Sequence, residues 1–201
     1  LIAQGAGVVV VACNTATSAA VEALRAALPT PIVGMEPGVK PGVAATRSGR
    51  VAVLATSGTL RGDRFARLVE RFAGGVEVRT VACPGMVELV EAGELAGPRA
   101  EAIVTGYVAP LVDDGVDTLV LGCTHFPFLR PLIAAAAPGA TIIDTGPAVA
   151  AQAARMADAV GLAPGAGGLR CATTGDPAAV TPALARVWGT ATPVERALTD
   201  E

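Results

Sequence analysis

The sequence of 201 residues contains little of what several common enzyme chemistries require. Lys40 is the one lysine in the chain, and the Gly-Lys step of a Walker A loop never occurs. A pyridoxal phosphate enzyme would have to use Lys40, which lies between two prolines in a turn-like setting, and would also need a phosphate cradle. These absences disfavour pyridoxal phosphate chemistry and P-loop nucleotide chemistry.

The four cysteines are widely spaced and form no C-x-x-C pair, so the sequence indicates neither a zinc ribbon nor a thioredoxin-like site. They are Cys13, Cys83, Cys123 and Cys171. A zinc site built from them and the single histidine, His125, has no supporting spacing, and we expect no metal. The alternative interpretation of each cysteine is a small buried hydrophobic residue.

Charged residues are scarce and form no basic stripe. They make up 16% of the chain, and the net charge is −3, which does not fit a protein that binds nucleic acid. Hydrophobic residues make up 52%, which provides enough apolar surface for a folded core. No run of about 18 apolar residues free of charges occurs, so we predict no membrane span.

Short apolar runs alternate with helix-like segments along the chain. Strands are predicted at 8–12, 32–33, 50–55, 76–82, 118–122, 141–144 and 169–173. Helices are predicted at 17–28, 37–47, 61–73, 98–114, 127–137, 147–160 and 177–187, and 161–168 is interpreted as a loop. This alternation predicts an α/β fold with parallel sheets and helices on both faces.

One pattern occurs twice. The run Val8–Ala12 is followed by Cys13, polar residues and a helix, and the run Thr118–Gly122 is followed by Cys123 in the same way. Ligands of open α/β sheets bind at the carboxyl ends of the strands, where both cysteines are predicted to lie. The repeat therefore favours two similar half-domains with a functional thiol in each.

Small polar residues follow each cysteine and can cap a helix. Asn14 and Thr15 come after Cys13, and Thr124 comes after Cys123. A thiol beside the N–H groups of a helix N-terminus has its pKa lowered from about 8.5 toward neutrality. The same N–H groups form an anion site suited to a substrate carboxylate.

Two opposed thiols predict proton transfer on both sides of one carbon. One thiolate removes a proton, a neighbouring carboxylate stabilises the carbanion, and the other thiol delivers a proton to the opposite face. His125 lies two residues from Cys123 and can be its proton partner. A Cys-His amide hydrolase and a non-catalytic module that binds small dicarboxylates are the alternatives, although the hydrolase leaves the second cysteine unexplained.

At this point the sequence resembles a known family. The segments Ala12–Ala16 (ACNTA) and Gly122–Pro127 (GCTHFP) are similar to the two signatures of bacterial glutamate racemases, in the aspartate/glutamate racemase superfamily. The segments 33–41, 54–59 and 86–91 fit the same family in the same order. The resemblance covers nearly the whole chain and fades after about residue 170. Aspartate racemases share the paired cysteines but usually lack the Cys-Thr-His-Phe/Tyr-Pro form, so glutamate is favoured over aspartate or another small carboxylate.

The resemblance implies interconversion of L- and D-glutamate without a cofactor, which supplies D-glutamate for peptidoglycan. It implies that Cys13 and Cys123 are the acid/base thiols and that His125 assists Cys123. The implied substrate contacts are Asn14, Thr15, Thr124 and His125. Weaker candidates are Glu91, for which a solvated helix face is the alternative, and Thr56, Ser57 and Thr59, for which a capped turn is favoured. Cys83 and Cys171 match no catalytic position and are predicted to be structural.

The resemblance also implies two similar doubly wound parallel-sheet domains with the active site at their interface. One domain would comprise 1–36 plus 146–201, and the inserted domain 37–145. The expected partner is the small-molecule substrate, with no nucleic acid and no membrane, and a homodimer is left open. Thiolate chemistry predicts the reducing cytoplasm.

The beginning of the chain departs from the family pattern. The first residue is Leu1, and neither an Asp-Ser-Gly-x-Gly-Gly strand end nor a Pro-Tyr-Gly loop occurs. We expect the family's opening segment, with an aspartate that assists the first cysteine, to precede Leu1. These 201 residues alone are then expected to racemise glutamate weakly or not at all.

Overall fold

The computed structural model describes residues 1–163, 165 and 167–197. The strands are β1 Val9–Val10, β2 Ile32–Val33, β3 Arg50–Ala55, β4 Glu77–Ala82, β5 Thr118–Leu121, β6 Thr141–Asp144, β7 Cys171–Thr173 and β8 Val194–Arg196. The α-helices are α1 Asn14–Ala27, α2 Val39–Ala45, α3 Ser57–Leu60, α4 Asp63–Phe72, α5 Met86–Ala92, α6 Pro98–Asp113, α7 Arg130–Ala136, α8 Gly146–Ala159 and α9 Pro177–Trp188. Two 3₁₀ turns cover Ile2–Gln4 and Phe126–Leu129.

Every strand pair in the described part of the chain is parallel. The largest sheet has the order β4-β3-β5-β6, and β1-β2 and β7-β8 form two-stranded sheets. The prediction of an α/β fold with parallel sheets is confirmed. Strand β8, which is only three residues long, was not predicted.

The four-stranded sheet is buried by helices on both faces. Residues 51–55 of β3 and 119–120 of β5 are fully buried, as expected for continuous apolar strands. The side chains of α5, α6 and α7 pack on one face, and those of α2 and α4 pack on the other. Each fully buried Val or Leu contributes about 1.5–3 kcal/mol relative to its exposed state. The central strands are therefore a rigid support for the residues that follow them.

The chain direction across this sheet reverses between β3 and β5. From β3 the chain adds β4 on one side, and from β5 it adds β6 on the other. Ligands of open α/β sheets bind at such a switch point, beside the carboxyl ends of the strands. Thr56 follows β3 and Cys123 follows β5, so both lie at this point.

Three predicted elements differ from the structure. The predicted strand 8–12 is reduced to β1, and Val10 is 40% exposed because β2 is its one neighbouring strand among the described residues. The predicted helix 61–73 is shortened to α4, and the four-residue helix α3 precedes it. The predicted helix 127–137 begins with a 3₁₀ turn, since prolines at 127 and 131 cannot donate backbone hydrogen bonds.

The division into 1–36 plus 146–201 and 37–145 remains a prediction. Strands β3 to β6 lie within 37–145, and the two small sheets lie outside it. Within the predicted loop 161–168, residues 164 and 166 lie outside the described residues, as do 198–201 at the end of the first domain. Of the helices described, none is both long enough and apolar enough to cross a membrane.

Asp117 joins two connections at the amino end of the large sheet. Its carboxylate accepts hydrogen bonds from Thr46 Oγ1 and, at 2.8 Å each, from the backbone N–H groups of Arg47 and Ser48. Burial opposes ionisation, but these donors and Thr118 outweigh it and hold the pKa of Asp117 well below its usual range.

We therefore expect Asp117→Ala to lower the free energy of unfolding at pH 7 by about 1 kcal/mol, because donors that are half-buried or exposed lose a charged acceptor. The lowered pKa stabilises the fold above the ordinary aspartate pKa, and this contribution is lost as the pH falls through the folded-state value. The difference between wild type and variant in urea denaturation should shrink below about pH 4. A difference that stays constant down to pH 2.5 would contradict this role.

Candidate active site

Cys13 lies at the N-terminus of α1. Its backbone is extended, and its Sγ accepts a hydrogen bond from the Ala16 N–H at 3.5 Å, so the thiol caps the helix. The 14-residue helix ends at Leu28, where the following proline disfavours helical backbone. The Cys13 side chain is therefore fixed at the positive end of a long helix dipole.

Cys123 lies at the carboxyl end of β5, next to the switch point. Gly122 precedes it, and a Cβ there would lie 3.0 Å from both the Leu54 carbonyl oxygen and the Ala55 Cβ. Glycine thus permits the tight approach of β5 to β3 that brings the thiol to the sheet edge. Cys123 is 9% exposed, which leaves one side of the thiol accessible.

Burial raises the pKa of the Cys123 thiol. The backbone N–H groups of His125 and Phe126 act in the opposite direction, and the charge of a Cys13 thiolate raises the value further. The expectation of a lowered pKa at this position is therefore wrong for Cys123, because desolvation outweighs the two N–H donors.

His125 lies between Cys123 and Glu91. Its Nδ1 is 3.8 Å from Cys123 Sγ, and its Nε2 is 3.3 Å from Glu91 Oε1. The Glu91 side chain, on α5, is 68% exposed, so this contact orients the ring and adds little stability. Both interpretations of Glu91 therefore hold in part, since it lies on a solvated helix face and also contacts the histidine.

Three threonine hydroxyls meet where α1 contacts the turn after β3. Thr15 Oγ1 lies 2.9 Å from both Thr56 Oγ1 and Thr59 Oγ1, and the latter two are 3.1 Å apart. Thr56 also caps α3 by accepting from the Thr59 N–H at 3.3 Å. The capped turn is therefore present, and its hydroxyls lie against the helix that bears Cys13. Ser57 is the first residue of α3 and is half-buried.

Asn14 is buried without a protein partner. It is 4% exposed, and neither its Oδ1 nor its Nδ2 has a hydrogen-bond partner among the described residues. An unpaired buried amide is costly, so such a group commonly marks a site for a polar ligand.

One cavity is lined by predicted site residues, and a larger cavity is not. One of about 220 Å³ is lined by Cys123, Thr124, Met35 and Thr145. A larger one, of about 390 Å³, lies between β2, the end of α1 and α8, and no predicted site residue lines it. The larger cavity therefore lacks the groups that the reaction needs. We place the candidate site at the thiols and not at the larger cavity.

A contact that the sequence did not reveal lies beside α1. Arg64 of α4 pairs with Glu22 of α1 at 2.7 Å and with Glu36, which precedes α2. The three residues are far apart in sequence, and no local pattern links them. The one sequence signal for this contact is the spacing of Thr15, Ser18 and Glu22, which places them on the same face of α1.

The other two cysteines are not among the predicted site residues, although Cys83 packs in the same buried cluster as Cys123. Cys83 is 2% exposed in the core, and burial raises its pKa to about 12, while Cys171 begins β7. All four cysteines are free thiols. Among the residues that the structure describes, no cluster of His, Cys, Asp and Glu could hold a metal ion.

Thiol alkylation should distinguish these cysteines. With substoichiometric iodoacetamide at pH 8, peptide mapping should show label at Cys13, which is half-buried, and none at Cys83 in folded protein. Protein unfolded in urea is the control and should label at both. Equal labelling of Cys13 and Cys83 in the folded protein would contradict the burial described here.

Parallel strands that carry thiols at their carboxyl ends are characteristic of a class of amino-acid racemases, and comparison with known proteins agrees. The profile described as Asp/Glu/Hydantoin racemase matches residues 1–153. The chain belongs to this family. Its relatives within the family are glutamate racemases, which are isomerases.

The similarity to these relatives is high in both sequence and structure. The chain is 56% identical to the glutamate racemase of Pseudomonas putida KT2440 over 189 residues, which cover 92% of this chain and 71% of the relative. The crystal structure of Escherichia coli glutamate racemase, in complex with L-glutamate and the activator UDP-MurNAc-Ala, has a TM-score of 0.83 at 30% identity, covering 98% of this chain and 76% of that one. A glutamate racemase from Bacillus anthracis has a TM-score of 0.81 at 30% identity, covering 96% and 74%.

Proposed function

We propose that the protein interconverts L- and D-glutamate by proton transfer at Cα between two opposed thiols, Cys13 and Cys123, without a cofactor. The observation that carries the proposal is the placement of these thiols. Each follows a parallel strand, Cys13 caps the N-terminus of α1, and Cys123 lies at the switch point of the four-stranded sheet, where its Sγ is 3.8 Å from His125 Nδ1.

The proton transfers balance without any other reactant. One thiolate takes the α-proton and becomes a thiol, and the electron pair of the C–H bond stays on Cα as a carbanion. The opposite thiol then gives its proton to the other face of Cα and becomes a thiolate. The site is left with the same number of protons, in the arrangement that the reverse reaction needs.

The electrostatics disfavour a site in which both thiols are ionised. Burial raises the pKa of Cys123, so at neutral pH this thiol carries its proton. Ionisation of both thiols is unfavourable because each charge opposes the other. A site with one thiolate and one thiol is therefore preferred over a site with two thiolates.

Polar groups around Cys13 and Cys123 fit a substrate with two carboxylates and an ammonium group. The Asn14 amide and the hydroxyls of Thr15 and Thr124 are the proposed contacts, with Thr56 and Thr59 as further hydroxyls next to Thr15. The unpaired, buried Asn14 amide gives the most direct support, because a bound ligand would satisfy it. Glutamate is preferred over aspartate because the relatives are glutamate racemases.

We further infer that the D-glutamate made by this reaction is used for peptidoglycan. The E. coli relative is described with UDP-MurNAc-Ala as an activator, and this nucleotide is a peptidoglycan precursor. The proposed place of action is the reducing cytoplasm, since oxidation of either thiol would stop proton transfer.

Solvent exchange during turnover tests the proposal. In D₂O, racemisation of L-glutamate should give D-glutamate carrying deuterium at Cα, because the accepting thiol exchanges with solvent before it delivers its proton. NMR of the α-proton and chiral chromatography measure the two changes together. Inversion without deuterium would contradict the two-thiol reaction, and hydrolysis of glutamine-like amides without inversion would favour the Cys-His hydrolase.

A further inference from the structure

One face of α1 packs very closely against the segment 58–64, which runs from α3 into α4. Thr15, Ser18 and Glu22 form this face through their three- and four-residue spacing. A Cβ at Gly62 would lie 2.4 Å from Ser18 Oγ, and one at Gly58 would lie 2.9 Å from Thr15 Cγ2. The Ser18 and Thr15 side chains thus lie so close to this segment that a methyl group at either glycine would force a side chain to shift.

Arg64 holds the outer end of this contact. Its Nη1 lies 2.7 Å from Glu22 Oε1 on α1, and its Nη2 pairs with Glu36 in the connection from β2 to α2. The Arg64 side chain is 25% exposed, whereas those of Glu22 and Glu36 are 72% and 41% exposed, so the contact acts through geometry more than through charge. Because the guanidinium is planar and binds both carboxylates at once, it restrains the direction of α1 as well as its distance from α4.

We infer that this contact sets the position of Cys13 relative to Cys123 and that Arg64 is a positioning residue for inversion. Cys13 caps α1 and moves with it, whereas Cys123 belongs to the sheet that contains β3 and, through α3, the segment 58–64. A displacement of about 1 Å at a reacting group can lower a rate by about a hundredfold. The inference rests on the proposed two-thiol reaction.

Displacement of Cys13 has a specific kinetic signature. For the enantiomer whose α-proton faces Cys123, deprotonation by Cys123 is unchanged, and so is return of a solvent deuteron by the same thiol. Only delivery by Cys13 is slowed, so exchange without inversion increases relative to inversion. For the other enantiomer, Cys13 is the base, and exchange and inversion fall together. If Arg64 had only a structural role, its loss would reduce the amount of folded protein. All exchange and inversion rates would then fall by the same factor.

Arg64→Met is the first test, since methionine keeps an apolar chain of similar length and removes the guanidinium group. We expect inversion to fall by roughly tenfold, with the ratio of exchange to inversion rising by a similar factor for one enantiomer only. Arg64→Lys should recover part of the loss. Arg67→Met is the matched control, because Arg67 lies one turn further along α4, is exposed and has no ion pair among the described residues.

A steric pair of variants tests the same contact without changing charge. Gly62→Ala places a methyl group against Ser18 Oγ, and its backbone, with φ of −76°, accepts alanine. We expect this variant to raise the same exchange ratio. Adding Ser18→Ala removes the atom at 2.4 Å and leaves the Ser18 Cβ at 3.4 Å, so the double variant should regain most of the inversion rate.

The outcomes separate this inference from the proposed function. Full-length wild-type enzyme that does not invert glutamate with deuterium uptake would contradict the proposed function itself. Wild-type enzyme that does so, with Arg64→Met and Gly62→Ala changing neither the rate nor the exchange ratio, would overturn the positioning role alone. A ratio of exchange to inversion that stays unchanged for both enantiomers, with a lower melting temperature, would also overturn it, because that result marks a structural contact.

Discussion

Cys13→Ser and Cys123→Ser should each reduce glutamate racemisation by at least about a hundredfold to ten-thousandfold, the range that a positioned acid or base contributes. The loss should be in kcat more than in KM, since either thiol acts in the transition state. Serine is nearly the same size but is a far weaker acid, so both domains should remain folded. The measurement is the initial rate of circular dichroism change with each enantiomer.

Cys83→Ser and Cys171→Ser are the matched controls. Cys83 lies in the core with a pKa of about 12, and Cys171 begins a remote strand, so turnover per folded molecule should change only a few-fold. If Cys83→Ser were as damaging as Cys123→Ser at equal folded content, the assignment of the second thiol would be wrong.

His125→Asn should have the second largest effect, about a hundredfold on kcat/KM. The variant keeps the backbone N–H that stabilises the Cys123 thiolate but removes the imidazole Nδ1, which lies 3.8 Å from Sγ. Without this proton acceptor, the thiolate should form only at higher pH. We therefore expect the acidic limb of the pH profile of kcat/KM to shift to higher pH.

Glu91→Gln separates the role of the ring from its orientation. Glutamine can still contact Nε2, and the carboxylate is two-thirds exposed, so the loss should be several times smaller than for His125→Asn. If the pH profile of His125→Asn has the same shape as that of wild type, whatever its absolute rate, the assignment of His125 as the proton partner is contradicted.

Much of the fold was predictable because the sequence pattern is local. Strands β3 and β6 begin and end where the apolar runs do, and prolines and glycines mark many helix ends. The close contact at Gly62 was not predictable, because its partner, Ser18 of α1, lies 44 residues earlier in the chain. A Cβ at Gly62 would lie 2.4 Å from Ser18 Oγ.

The candidate site was predictable to the extent that its residues lie in short motifs. The contact between His125 and Cys123 follows from a two-residue spacing. The threonine cluster and the Arg64 contacts depend on how α1 packs against α3 and α4, which no local pattern encodes. The pKa of Cys123 was predicted in the wrong direction, because the sequence shows the N–H donors but not the depth of burial.

Enantiomer-specific exchange in the alanine variants is the most direct test of two thiols on opposite faces of Cα. Cys13→Ala and Cys123→Ala are each incubated in D₂O with pure L-glutamate and with pure D-glutamate, and the α-proton is followed by NMR. We predict that neither variant inverts glutamate and that each exchanges one enantiomer only, with opposite choices. Exchange of the same enantiomer by both variants, or inversion by either, would contradict the account.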